Sequence, residues 1–305
     1  MDDGSGTIVT PDYLKKEQDV FLELAVRLIQ QYGFRVLSPV EHDDRTLNED
    51  FPSWDPFRWN VEYTVCTFGI HSDFYYDASG DTGQRPPAVV ENNYSKVRGL
   101  TVDVVSKAYQ FSASDLKIPA EPKSSRPVVP QGGTLVHVWR NVQDAGITSA
   151  YPWKERLSAF SLTLCAGLST YDSAEENLAQ HRENFAAYWR LKGQPPTLED
   201  ELLADLQEAA QRGDQEKFRL DMRLVCEGRS FLFTRKGYYA LGPWITKPGD
   251  ICCVFFGATV PFILRKVDEA SHYKLIGEAY IHGLMRGEAV NPIPKDEQQG
   301  EFILC

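Results

Sequence analysis

Nowhere in the 305 residues does an uncharged run exceed 15 residues, and the most apolar of the long ones, the 14 residues from Ile251 to Leu264, contains Gly257 and Pro261. A helix that crosses a bilayer needs about 20 apolar residues, so none is expected. The opening stretch, MDDGSGTIVTPDY, holds neither the basic nor the apolar segment of a secretory signal. Positive charge is scarce: 32 Lys and Arg stand against 43 Asp and Glu, for a formal net charge of −11. Such a chain gains little from displacing counterions on nucleic acid and is repelled by anionic lipid. Neither nucleic acid nor a membrane is expected as a partner.

Cysteine is sparse and scattered. The six are Cys66, Cys165, Cys226, Cys252, Cys253 and Cys305, with no CxxC pair and no Cys/His spacing of zinc-finger type. Several sit inside apolar runs such as SLTLCAG and ICCVFFG, where cysteine acts as a small core hydrophobe. That usage suits a reducing compartment, and a cytoplasmic location is expected. Catalytic signatures are missing too: no GxSxG elbow, P-loop, GxGxxG, HExxH or kinase string occurs. No metal and no cofactor is expected.

What is present is ordinary core-forming material, 42% hydrophobic and 25% charged, enough for one large domain or two modest ones. Residues 1–12 read as a tail or linker. In 13–110 a helix is followed by a small sheet. The helix, from Glu17 to Tyr32, carries Val20, Phe21, Leu24, Ala25, Leu28, Ile29 and Tyr32 at helical spacing, with Asp12 as its cap and Gly33 as its stop. VEYTVCTFGI and KVRGLTVDVV alternate as strands do. Residues 111–132 form a Pro-rich linker or loop.

Residues 133–227 are helical. LVHVWRNVQ and WKERLSAFSLTLCAG supply short apolar helices, and Ser173-x-x-Glu176 predicts a capping box for a helix bearing Leu178, Phe185, Tyr188 and Trp189. From 228 to 290 the period becomes two: RSFLFT, YYALGP, ICCVFFG, VPFILRKV and HYKLIGEAYIHG follow at the spacing of a small antiparallel barrel. Residues 291–305 read as a C-terminal tail. The expected fold is α+β: a helical middle, flanking sheet segments and a C-terminal antiparallel β-barrel-like domain.

The last strand carries the most suggestive constellation. Alternation puts Leu275, Ala279 and Ile281 on one face and Glu278, Tyr280 and His282 on the other. A carboxylate, a phenol and an imidazole together are candidates for acid–base catalysis, or for an equally plain hydrogen-bonded strand face. Arg265, at the end of PFILR, can pair with Glu278 or Glu288 or bind an anion, so Arg265, Glu278 and His282 are also the ligand-binding candidates. Asp250 in KPGD is expected to cap a turn. Cys252 and Cys253 must face opposite ways. His137 is expected in the core, His42 and His71 in solvated loops, and Phe51, Trp54, Phe57 and Trp59 in an aromatic plug.

The strings RSFLFTRKGY, ALGP, KPGD, PFILR and LIGEAYIHGLMRGEA resemble, in this order, the C-terminal region of fungal heterokaryon-incompatibility (HET) domain proteins. PDY at 11–13, FPSW at 51–54, DASG at 77–80 and VRGLTVDVV at 97–105 fall in the same order upstream. The hallmark strings of the family's N-terminal domain, of the SYVWG, DALCINQ and RVWTLQE kind, are absent. That domain triggers growth arrest or cell death after non-self fusion, so this activity is not carried over. The resemblance implies a fungal origin, an intracellular setting and a recognition or regulatory role, with a protein partner or an effector HET domain as its target. The alternative expectation is a cofactor-independent acid–base isomerase or cyclase, or a small-molecule binder, using a pocket in the C-terminal barrel.

Overall fold

The predicted helix over Glu17–Tyr32 (α1) ends where Gly33 turns to φ 70 and its amide bonds Ile29 O. The computed structural model in which it is seen describes residues 14–49, 51–56, 66–71, 76–80, 82, 89–91, 93–111, 115–116, 134–169, 172–191, 200–267, 272–291 and 299–305. Asp12 and the tail before it lie outside them. Only Ala25 and Ile29 of the apolar stripe are fully buried, while Tyr32 is exposed. A single turn, Phe68–His71 (α2), stands in part of the stretch where alternation predicts a strand. The amides that open this turn are taken by a side-chain carboxylate rather than a ladder partner, an arrangement natural to a helix start.

The helical middle consists of α3 (Thr134–Gln143), α4 (Arg156–Leu164), α5 (Leu178–Leu191), α6 (Asp200–Ala209) and α7 (Gln215–Cys226). Helical spacing turns Val138 and Trp139 inward and leaves His137 exposed, against the expectation of a core histidine. Trp139, Phe160, Phe185 and Phe218 join α3, α4, α5 and α7, with ring centroids 5.2 to 6.1 Å apart. The predicted capping box is displaced: Asn177 Oδ1 accepts the Gln180 amide at 3.3 Å, while Ser173 Oγ accepts the amide of Glu175 at 3.3 Å. Asp214 caps α7, accepting the amides of Glu216 at 2.9 Å and Lys217 at 3.0 Å.

Just before that cap, Gly213 lies so close to α5 that a Cβ there would stand 1.8 Å from Glu183 O. Backbone would have to move to admit it. Gly213→Ala should cost about 3 kcal/mol, the upper range for overpacking, read as a lower urea midpoint with unchanged m.

A short hairpin, β3 (Leu168–Ser169) with β4 (Asp172–Ser173), follows α4. The main sheet contains β1 (Val89–Glu91), β2 (Tyr94–Gln110), β5 (Arg229–Thr234), β6 (Tyr239–Pro243), β7 (Ile251–Phe255), β8 (Phe262–Lys266), β9 (His272–Glu278), β10 (Tyr280–Ile281) and β11 (Gln299–Leu304). Its pairings run β2–β11–β9–β8–β7 and return to β2, which closes a ring. Every pairing in the ring is antiparallel except β11–β9, which is parallel. The last third of β2 leaves the ring to pair β5, which continues to β6 and β10.

Two strands of this ring come from outside the 228–290 stretch read as the barrel. β2 belongs to the 13–110 region, and β11 lies within the 291–305 stretch read as a tail. Phe302 and Leu304 explain β11, since both are buried while Gln299 and Glu301 face solvent. The sheet feeds two cores. Cys253, Phe255, Phe262, Leu264 and Leu275 pack with the helices, and Cys252, Val254, Ile263 and Ile276 with Leu100, Val102 and Leu284. The adjacent cysteines therefore do face opposite ways. Within 111–132, Leu116 is buried and Asp115 accepts the Leu135 amide at 3.2 Å.

Candidate functional site: a buried cluster around Arg229 and Glu278

Glu278 ends β9 and is 3% exposed; Arg229 opens β5 and is 1% exposed. Arg229 Nη2 donates to Glu278 Oε1 at 2.9 Å and to Cys66 O at 2.7 Å, and Nη1 donates to Val225 O at 2.8 Å. Its guanidinium lies 3.8 Å from the centroid of the Phe68 ring. The Glu278 carboxylate also accepts the amides of Phe68 and, at 2.9 Å, Gly69. One ion pair thus joins α2, the end of α7, β5 and β9. Burial pushes the Glu278 carboxyl above its usual range, and the guanidinium and the two amides pull it back only in part.

Tyr280 and His282 form a second group. The strand breaks at Ala279, whose amide turns to Pro261 O at 2.8 Å, so period-two alternation does not run on from Glu278. Tyr280 OH lies 2.9 Å from His282 Nδ1, and Tyr151 OH donates to His282 O at 2.8 Å. Phe68 separates the two groups, its centroid 6.3 Å from that of Tyr280. Burial lowers His282 to about 4 and raises the Tyr280 phenol well above its ordinary value. At neutral pH the dyad is therefore uncharged. A neutral imidazole held by a neutral phenol fixes side-chain geometry, and its hydrogen-bonded carboxylate neighbour across Phe68 is already occupied.

Arg265 pairs with neither Glu278 nor Glu288. Its Nε and Nη2 each reach Asp250 at 2.8 Å, and Nη2 also donates to Ile245 O at 2.8 Å. Asp250 in turn accepts the Lys247 amide at 2.9 Å, so the turn-capping role expected of KPGD is seen. His42 is not solvated: it is 2% exposed, its Nε2 lies 2.8 Å from Ser53 O and burial lowers it to about 4. Trp54 is fully buried and Phe51 packs on the same core; Phe57 and Trp59 lie outside the described residues.

Local patterns gave no sign of Arg229, which opens an apolar strand, or of His181, which lies on α5. His181 Nε2 sits 3.0 Å from Ser161 Oγ and its Nδ1 3.9 Å from Cys165 Sγ. Burial raises that thiol far above its usual value and lowers His181 to about 4, the opposite of an activated thiolate–imidazolium pair. Among the described residues no group of three or more His, Cys, Asp or Glu side chains is placed to hold a metal. A cleft of about 290 Å³ opens near the Cys305 end of β11, lined by Glu49, Phe51, Pro52, Tyr94 and Lys274.

Helices packed on a sheet that closes through a ring of strands define an α+β barrel protein, and residues 163–304 match the Het-6 beta-barrel domain. A stretch of 73 residues is 36% identical to "Heterokaryon incompatibility protein 6, OR allele" of Neurospora crassa, covering 23% of this chain and 11% of that protein. No solved structure matches the chain. The resemblance to the C-terminal region of fungal heterokaryon-incompatibility proteins holds, on the barrel region above all. Among the described residues no helix is long and apolar enough to cross a membrane.

Proposed function

We propose that the chain is a non-enzymatic recognition or regulatory module of the heterokaryon-incompatibility kind, acting on a protein partner such as an effector HET domain. The observation that carries this reading is the state of the acid–base candidates. Glu278 is occupied by Arg229 and two amides, and Tyr280 by His282, in two groups parted by Phe68. General acid–base work needs a group within reach of a substrate and a pKa near the working pH, and His282, at about 4, is held away from it.

The match to the Het-6 beta-barrel domain supports the same reading. The test is calorimetric titration of the full chain with a purified HET domain. A saturable heat with defined stoichiometry is expected, and no binding in either direction of titration contradicts the proposal.

A second reading, small-molecule binding, is favoured by the cleft beside Lys274. Its lining joins Lys274, whose ammonium donates to Leu47 O, with Glu49, Phe51 and Tyr94, a mixture of polar and apolar residues suited to a small ligand.

A further inference from the structure

The ring depends on one strand that the matched region does not contain. β2, 17 residues long, lies upstream of residues 163–304. One of its edges pairs β7 from Gly99 to Val104. The other pairs β11 from Ser95 to Leu100 and β5 from Val105 to Gln110. All three neighbours come from the chain beyond residue 134. Val97, Leu100, Val102 and Val105 sink into the two cores from this strand. Without β2, strands β7, β11 and β5 would face one another across a gap with unpaired backbone groups and an apolar floor, the recognition surface of strand addition.

Asp115 and Leu135, on either side of the Pro-rich stretch, are neighbours in space. Asp115 Oδ1 accepts the Leu135 amide at 3.2 Å, and Tyr188 OH donates to Asp115 O at 3.1 Å. Ladder pairing on both edges and the side chains buried from it hold β2 in place.

We propose that residues 134–305 form a strand-accepting unit, and that its occupant is β2, supplied either by the same chain or by a second copy of it. The covalent link favours the internal strand only by raising its effective concentration. Gly99 sets the fit: a Cβ there would stand 2.4 Å from Val254 O and 3.0 Å from Phe255 Cα, so only a bare backbone seats against β7.

The test uses two full-length chains with different affinity tags, each bearing a site-specific protease sequence between Ser124 and Ser125. After cleavage the two pieces should co-elute as one species. When the cleaved chains are mixed, unfolded together in urea and refolded, pieces from different parents should be captured together. A third donor chain carrying Gly99→Val should be captured by the unaltered acceptor about tenfold less, which corresponds to about 1.4 kcal/mol. Its own folding does not matter, because the acceptor is the unaltered chain in both arms. Separation of the pieces in native buffer, absence of mixed pairs after refolding, or equal capture of the Gly99→Val donor would each overturn the proposal.

Discussion

Replacing Arg229 with methionine should lower the stability of the chain by about 4 kcal/mol, because loss of one member of a buried ion pair leaves the other charge uncompensated. Glu278 would keep the amides of Phe68 and Gly69 but lose the guanidinium that offsets its burial. The carbonyls of Cys66 and Val225 would lose their donor, and Phe68 the cation over its ring. Adding Glu278→Gln removes the orphaned charge while leaving an acceptor for one of the two amides. The double variant should therefore recover about half of the loss, a coupling of roughly 2 kcal/mol, within the range for contacting residues. Urea unfolding of the four chains measures it. A loss under about 1 kcal/mol for Arg229→Met, which is the range of an exposed pair, would mean that the cluster is solvated.

Acid should weaken the fold well above the ordinary carboxylate range. His42, His181 and His282 are each lowered to about 4 by burial, from an ordinary 6.5. The unfolded chain therefore binds protons that the folded chain refuses. The stability these histidines support is fully present above about pH 6.5 and falls as pH drops toward 4. A shift of that size amounts to about 3 kcal/mol for His42, at about 1.4 kcal/mol for each unit, and the other two act in the same direction.

Glu278 works in the opposite sense. With its carboxyl raised in the fold, its own contribution grows as pH falls, but it is one group against three. Unfolding free energy measured at steps from pH 7 to pH 4.5 should fall steeply, with a slope of about two protons at its steepest, three histidines less the opposing carboxyl. His42→Gln should flatten the slope by about one proton. A profile level between pH 7 and pH 5 would contradict the burial of these imidazoles.

The strands β5 to β8 were legible because two signals coincide there. Side chains alternate, and Gly237 and Gly249, at φ 91 and 96, mark the turns between them. The ring was not legible, since pairing between β2 and β7, about 150 residues apart, leaves no trace in a local pattern. β11 was hidden for a related reason: of its six residues only Phe302 and Leu304 are buried, and a mostly polar sequence precedes them. Local company misled twice over histidine. The apolar neighbours of His137 suggest a core position that helical spacing denies, and the acidic neighbours of His42 suggest solvent where Ser53 and Thr46 enclose it.

The candidate site shows the same limit. Alternation put Glu278, Tyr280 and His282 on one strand face and Leu275 with Ala279 and Ile281 on the other, whereas β9 ends at Glu278, β10 holds only Tyr280 and Ile281, and Leu275 packs in the core of Tyr280 rather than with Ala279 and Ile281. It could not see the break at Ala279, which sends the carboxylate to Arg229 and the phenol to His282. Nor could it supply Arg229, whose meaning depends on a partner 49 residues away. Family resemblance located the barrel region, yet the strand that closes its ring lies upstream of that region.

Hydrogen–deuterium exchange of the intact chain tests the closed ring most directly. If β2 is paired on both edges, a peptide spanning Tyr94–Gln110 should exchange as slowly as peptides from β5 and β7, all three opening together only in global unfolding. A β2 peptide that exchanges faster than those neighbours, by its own local opening, would show that residues before 111 form a separate unit and that the barrel closes without them.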